Sequence, residues 1–397
     1  MKDRLYSPVL GRRMAMAGAV ALGGAALLDA ERSAAQAAAP AQPAGYQGAP
    51  RTELFNPALT TRIVTTTQYK KAPPYVIGFS NAGLGDSWRV VALDELKQGA
   101  QDHKDVIKRL IITDAQHDDA KQVADVQDLA SQGVDLLIVS ANTEKALDPV
   151  VTRVMRQGTP VLMLDRRITS DHFVTFVDAC DPMMGRLWAQ WIVEKLNGKG
   201  NIILLGGQAG SSPNENRMGP AKEIFAQYPD INILDTVYSD WSPVKGKQVM
   251  QAVVAKYGRK IDAVWSAHGL QVPGSVEAFV EAGFKAGEIP MHTTADVNGP
   301  ILLALKYKIP MLEISDPPAQ YRTAIAIALK ILNGAAVPFN STVNSQIAVT
   351  DGDETASIKS DVPFASLAMA SKPSNYLISN DLGPDYDPTT AHIPYPS

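Results

Sequence analysis

From residue 75 onward the chain alternates short apolar runs with amphipathic stretches. Residues 75–80, 107–113, 136–140 and 160–164 are rich in Val, Ile and Leu and end in turn or polar residues, which predicts buried strands. The spacing between them predicts helices over 88–103, 120–132 and 146–157. In the second of these, Val123, Val126, Leu129 and Ala130 sit at helical spacing, and Gly133 follows as a stop signal. Strand–helix–strand alternation with connections this short implies a parallel sheet covered by helices on both faces. The pattern then runs past what one such sheet needs. Four more strands are predicted at 201–205, 231–238, 263–266 and 291–295, with helices over 217–227, 244–256 and 273–282. Two successive units of similar size make an α/β chain of two doubly wound, Rossmann-like lobes. Beyond Asn333-Gly334 the signal fades into strand-like polar pieces at 341–349 and a Pro/Asp/Asn-rich tail at 372–397. That tail is expected to wrap along the surface, with no role assigned to it.

The first residues follow a different pattern. Lys2, Arg4, Arg12 and Arg13 precede an uncharged apolar run of fifteen residues at 14–28, and small residues follow, with Ala35-Gln36-Ala37 as a cleavage site. These are the three parts of a signal peptide over 1–37. Fifteen residues are too few to span a ~30 Å hydrocarbon core as a helix. The adjacent Arg12-Arg13 and the weakly hydrophobic Ala/Gly core favour twin-arginine export, although Gly11 before the pair and Ala15-Met16 after it depart from the usual motif. A soluble, periplasmic mature chain is expected, with a Pro/Ala-rich leader over 38–73.

Composition narrows the function classes. A net charge of −4 provides no general basic field for nucleic acid or an anionic membrane. The single cysteine, Cys180, makes neither an internal disulfide nor a cysteine-based zinc site by itself. Gly-x-Ser-x-Gly, His-Glu-x-x-His and a P-loop are all missing, and Leu205 stands where a dinucleotide fingerprint before Gly206-Gly207 would need its first glycine. Asp114, His117, Asp118 and Asp119 read as a polar loop feeding a helix start, and the six histidines lack metal spacing. No catalytic residue, metal or cofactor is expected.

The strand ends carry residues that a core does not explain, and in open α/β sheets those ends line the ligand crevice. The first strand leads through a Gly-containing loop to Asp86, Trp88 and Arg89. The fourth ends in Asp165-Arg166, the next unit leads to Arg217, and later strands deliver Asp240-Trp241 and Asp296. Either tryptophan alone would serve equally as core, Asp165-Arg166 as a surface ion pair, and Arg217 as a solvated helix residue. Taken together they suit a sugar, whose C–H faces pack on aromatic rings and whose hydroxyls want Asp acceptors and Arg forks. Each charge-assisted bond of that kind is worth roughly 1.5–3 kcal/mol.

At these residues the chain resembles the sugar-binding proteins of ABC importers, in the ribose and galactofuranose group of type I periplasmic binding proteins, over about residues 75–334. Ile77-Gly78-Phe79-Ser80 with Trp88-Arg89 is similar to that group's first strand and stacking aromatic, and residues 161–166 to its Pro-Val-x-x-Leu-Asp-Arg signature. Residues 206–217 resemble the segment that places an arginine, here Arg217, on ligand hydroxyls. Asp240-Trp241 with Lys245-Gly246 matches the second stacking wall, and Asp296 the pocket aspartate. Two positions depart. His268-Gly269 stands where the group usually has Asn-Asp, so a carboxylate is lost and an imidazole gained, and Ser315 stands where Gln is frequent.

The resemblance implies two lobes joined by three crossovers, the first built from 74–180 and 316–337, the second from 181–315 and 338–371. It also implies a small-molecule sugar or polyol as ligand, held between Trp88 and Trp241 as the hinge closes, and an ABC permease of the inner membrane as partner to a monomer, with no nucleic acid. The competing readings are an exported sensor partner of a chemoreceptor or receptor kinase and an exported carbohydrate-active enzyme. A sugar-responsive repressor shares the fold, but the signal peptide occupies the place of its DNA-binding helices.

Overall fold

The computed structural model describes residues 62–397 apart from 384 and 391. The signal-peptide reading and the cleavage site lie outside the described residues. No helix among those described is long and apolar enough to cross a membrane.

The first lobe alternates β1 (Tyr75–Asn81), α1 (Ser87–Asp102), β2 (Ile107–Asp114), α2 (Asp119–Ser131), β3 (Leu136–Val139), α3 (Glu144–Arg156), β4 (Val161–Leu164) and β5 (Thr175–Asp178). The second continues with α4 (Asp181–Lys195), β6 (Lys199–Gly206), α5 (Ser212–Phe225), β7 (Asp230–Tyr238), α6 (Pro243–Tyr257), β8 (Ala263–Ser266), α7 (Val272–Glu281), β9 (Met291–Thr294), α8 (Asn298–Tyr307) and β10 (Met311–Ile314). Then α9 (Gln320–Leu332) returns to pack on α1, and β11 (Asn340–Thr342) and β12 (Ile347–Val349) complete the two sheets. Helix starts follow local chemistry: the Asp86, Asp118 and Ser242 side chains accept the backbone N–H three residues on and so cap α1, α2 and α6.

Each lobe has a six-stranded sheet, ordered β11-β5-β4-β3-β1-β2 and β12-β10-β9-β8-β6-β7, and within these two sheets every pairing is parallel except β12 on β10. Strand order reverses beside β1 in one lobe and beside β6 in the other, so the loops after these strands and their neighbours open a crevice at the carboxyl edge of each sheet. The central strands β3, β4 and β8 are buried at every position, which explains why all their residues but Ser266 are apolar.

Strands β5 and β10 and helices α4, α8 and α9 are not among the predicted elements, and three further details depart from the sequence expectation. The last crossover lies between Thr342 and Ile347 rather than at Pro338, because β11 pairs with β5 and Phe339 stacks on Phe173 at 5.0 Å in the first lobe. The strand-like stretch at 341–349 is thus divided between the two sheets. The end of the expected leader is ordered, since Ile63–Val64 pairs antiparallel with Val337–Pro338 and Thr66 is fully buried.

Candidate functional site

The strand-end loops of both lobes meet around a small cavity lined by Asp86, Trp88, Arg89, Asp165, Arg166, Pro213, Arg217, Trp241, His268, Leu270 and Asp316. Its volume is about 30 Å³, room for a water or two. A wider chamber of about 480 Å³ adjoins it and shares Asp86, Trp241 and Leu270. Side chains also tie the lobes together here. Gln208, from the loop after β6, accepts from Arg166 Nη1 at 3.0 Å and donates to Asn142 Oδ1 at 3.0 Å.

In the first lobe, the loop after β1 feeds α1 so that Trp88 and Arg89 enter the cavity wall from the helix's first turn. Trp88 Nε1 donates to the Asp316 carbonyl at 2.8 Å, and its ring meets Tyr321 edge-on at 5.7 Å. Arg89 is 3 % exposed. It donates to Asp165 Oδ2 at 2.6 Å, Tyr321 OH at 2.7 Å and Ser140 Oγ at 2.8 Å. Burial works against the charge of Arg89, but Asp165, together with Tyr321, Asp86 and Asp316, more than offsets it and holds the guanidinium above its usual value. Arg166 lies behind this pair and is equally buried. Desolvation, followed by repulsion from Arg89, lowers it to about 10. Its Nε lacks a hydrogen-bond partner.

In the second lobe, Arg217 projects from α5 with each guanidinium nitrogen donating: Nε to Asp181 Oδ1 at 2.6 Å, Nη2 to Asp316 Oδ2 at 2.6 Å and Nη1 to the Ala267 carbonyl at 2.9 Å. Burial lifts Asp181 to about 6 against the pull of Arg217. Trp241 is held in the left-handed region at φ 61°, and Asp240 before it at 49°. For an aromatic residue that conformation costs on the order of 1–3 kcal/mol. The cost brings the indole flat over Gly207, where a Cβ would come within 2.2 Å of the ring. The Trp241 Nε1 has no partner. Its ring edge meets His268 at 6.2 Å. His268 Nδ1 accepts the Leu270 N–H at 3.2 Å, which leaves Nε2 as the protonated nitrogen of the neutral ring, 3.6 Å from Asp296 and 3.8 Å from Asp316.

The structure thus brings together Asp86, Trp88, Arg89, Asp165, Arg166, Arg217, Trp241 and His268 around one cavity. Two predicted residues do not line it. Asp296 sits behind His268, fully buried, with both carboxylate oxygens accepting the Asp316 N–H at 2.9 Å. The Ser315 hydroxyl accepts the Gln346 N–H at 2.7 Å beside the third crossover, and the following residue, Asp316, takes the wall position instead. Sequence reasoning missed Asp316 and Asp181, both at crossovers between the lobes. Within a few ångströms, His268, Asp296 and Asp316 offer donor atoms of the kind that hold metals. Arg217 pairs with Asp316, and the Asp316 N–H and the Ser379 hydroxyl already occupy the Asp296 carboxylate. Asp118 and Asp119 serve α2: one caps it, and the other accepts from Asn142 and Thr143.

The lobes repeat one device. A Cβ at Gly83, after β1, would run into the His117 imidazole at 2.5 Å, as one at Gly207, after β6, would run into Trp241. His117 (φ 61°) and Trp241 follow the second strand of their respective lobes, and both line the outer chamber.

Residues 77–336 match the family described as periplasmic binding protein domain. Over 223 residues the chain is 29 % identical to the galactofuranose-binding protein YtfQ of Escherichia coli (strain K12), covering 55 % of this chain and 69 % of that protein. The aligned stretches span from half to about two thirds of such curated relatives, the xylitol-binding protein of Mycolicibacterium smegmatis being matched over 50 % of its length at 29 % identity and 44 % of this chain. Among solved structures, the fructose-binding periplasmic domain of the hybrid two-component system BT1754 gives a TM-score of 0.64 at 28 % identity, covering 70 % of this chain and 92 % of that one. A galactofuranose-binding protein also gives 0.64, at 26 % identity, covering 70 % and 96 %.

Proposed function

Since the chain belongs to the periplasmic binding protein domain family, we propose that it is the periplasmic substrate-binding component of an ABC transporter, capturing a sugar or related polyol between its lobes and delivering it to the permease. The observation that carries this reading is the unpaired polar inventory of a buried, aromatic-walled cleft. Arg166 Nε and Trp241 Nε1 are buried donors without hydrogen-bond partners, and Arg89, Asp165, Arg217 and Asp316 line the same cavity. A buried polar group left unmatched costs about 1–3 kcal/mol. A ligand dense in hydroxyls supplies donors and acceptors together, and Trp88 and Trp241 offer faces for its C–H surface.

A cavity of about 30 Å³ does not admit such a ring until side chains and lobes give way. Ligand binding is therefore coupled to opening at the crossovers and closure around the guest. The signal peptide at 1–37 takes the chain to the periplasm. If the twin-arginine route operates, exchanging Arg12-Arg13 for Lys-Lys blocks export; unchanged export assigns it to the general secretory route.

A thermal-shift screen of pentoses, hexoses, furanoses and polyols tests the reading, followed by calorimetry on the best ligand with Trp88→Ala and Trp241→Ala. Each variant weakens binding tenfold or more, about 1.4 kcal/mol. Unaltered affinity in both places the site elsewhere. A stabilising ligand that the protein also turns over makes it an enzyme. The likeness to the BT1754 domain favours one second reading, a sensor component, and a permease and ATPase encoded beside this chain rather than a kinase decides against it.

A further inference from the structure

The segment after Pro373 lies beyond the matched family region and is fastened to both lobes. On the second lobe, the Asn298 side-chain amide donates to the carbonyls of Met369, Lys372 and Pro373 at 2.9, 3.2 and 3.1 Å. Backbone bonds continue the attachment: Gly299 N–H to Ser374 O at 2.7 Å, Asn298 N–H to Tyr376 O at 3.0 Å, and Ile378 N–H to Asp296 O at 2.8 Å. The hydroxyl of Ser379, itself 6 % exposed, donates to the Asp296 carboxylate.

Two residues later the chain is held by the other lobe. Asp381 N–H donates to Glu95 Oε1 at 2.8 Å and Tyr386 OH to Asp94 Oδ2 at 2.7 Å, both on α1. The Pro396 carbonyl accepts the Leu110 N–H at 2.6 Å and so covers edge strand β2.

Two residues of extended chain reach about 7 Å, so the link from Ser379 to Asp381 has little slack. Asp296 is also the acceptor for Asp316 N–H, in the crossover between β10 and α9. A rotation that carries the second lobe away from α1 therefore either stretches this link or frees Ser379 from the carboxylate beside His268. Ser374 and Asn375 of the same segment form part of the outer chamber wall.

We propose that residues 374–397 act as a strap that sets the balance between open and closed cleft, with Ser379 as a positioning residue holding Asp296. The proposal rests on the cleft being the binding site but needs no particular ligand. Spin labels at Ala124→Cys on α2 and Ala252→Cys on α6, both exposed, report the separation of the lobes in the ligand-free full-length mature protein, and the native Cys180 is buried. Relative to the labelled parent, Ser379→Ala and Tyr386→Phe each gain a longer-distance population, and deleting 374–397 shifts the whole distribution to longer distances. Ser379→Thr, which keeps the hydroxyl, matches the parent. Identical distance distributions in both point variants overturn the proposal, whether or not melting temperature falls, since a merely structural wrap lowers stability without moving the lobes. The point variants decide the matter if the deletion does not fold. Because no sugar is present, an unproductive sugar screen leaves this result readable, and an unmoved distance leaves the sugar reading standing.

Discussion

Replacing Arg217 with methionine tests the electrostatic design of the cleft most directly. The guanidinium is fully buried and sits between two carboxylates, 2.6 Å from Asp181 and 2.6 Å from Asp316. Methionine keeps much of the volume and removes the cation, leaving two buried carboxylates facing each other. Breaking a buried ion pair by removing one partner costs about 3–5 kcal/mol, because the remaining charge stays desolvated. The pH dependence carries the distinguishing information. Desolvation already raises Asp181 from 3.8 to about 6 with Arg217 in place, and without the cation it rises further. A carboxyl held above its unfolded value contributes stability that is complete below the unfolded value and is lost as pH climbs through the folded one. The deficit of Arg217→Met is therefore largest near pH 7.5 and shrinks toward about pH 5, and adding Asp181→Asn recovers part of it at the higher pH. Urea unfolding followed by far-ultraviolet circular dichroism at both pH values measures this. A loss under about 1 kcal/mol, or one equal at the two pH values, refutes the view that Arg217 neutralises buried charge.

Gly207→Ala should act on the ligand through Trp241. The new methyl group would stand 2.2 Å from the ring, so the indole must move and affinity for the ligand found by screening falls about tenfold, as for Trp241→Ala; unchanged affinity shows that the ring does not stack on the ligand. Glu95 gives a second pH signature. Burial lifts it to about 7, despite Arg322 of α9 at 2.9 Å and the Asp381 N–H of the C-terminal segment at 2.8 Å, with the Asp381 carboxylate adding to the rise. Its contribution to stability is complete below about pH 4.5 and lost through about pH 7, so Glu95→Gln flattens the slope of unfolding free energy over that window by up to about 3 kcal/mol. An unchanged slope in the variant would falsify the assignment of that proton to Glu95.

Much of the architecture was legible because most of the central strands are runs of Val, Ile and Leu bounded by turn residues, and because parallel sheets bury both faces of such runs. The cleft residues were legible for a related reason. Trp88, Arg89, Asp165 and Trp241 break the apolar pattern at strand ends, where a core has no use for charge. The residues that were missed sit where a local pattern already accounts for them. Asp181 precedes Pro182 and reads as the start of α4, and Asp316 precedes Pro317-Pro318 and reads as a chain breaker. Their roles come from the chain crossing between lobes there, which brings both carboxylates onto Arg217 from distant positions. Segment α9 was missed although Arg322, Thr323 and Lys330 mark a polar stripe along an otherwise apolar helix.

The C-terminal segment shows the same principle at longer range. Its proline, aspartate and asparagine content describes a surface wrap, yet Tyr376, Leu377, Ser379 and Tyr386 are buried. Composition measures whether a segment can form a core of its own, and this one cannot. Burial instead follows from pairing with 296–299 and from hydroxyl and amide contacts to Asp296, Asp94 and Glu95. Those three carboxylates carry no sign, in their own sequence contexts, of needing such partners. Asp94 and Glu95 look like the solvated face of an ordinary helix, and Asp296 like a ligand contact. Only with the segment in place are the acidic face of α1 and the back of the cleft parts of one hydrogen-bonded surface, and a change at Ser379 or Tyr386 therefore reaches the cleft without touching any residue that lines its inner cavity.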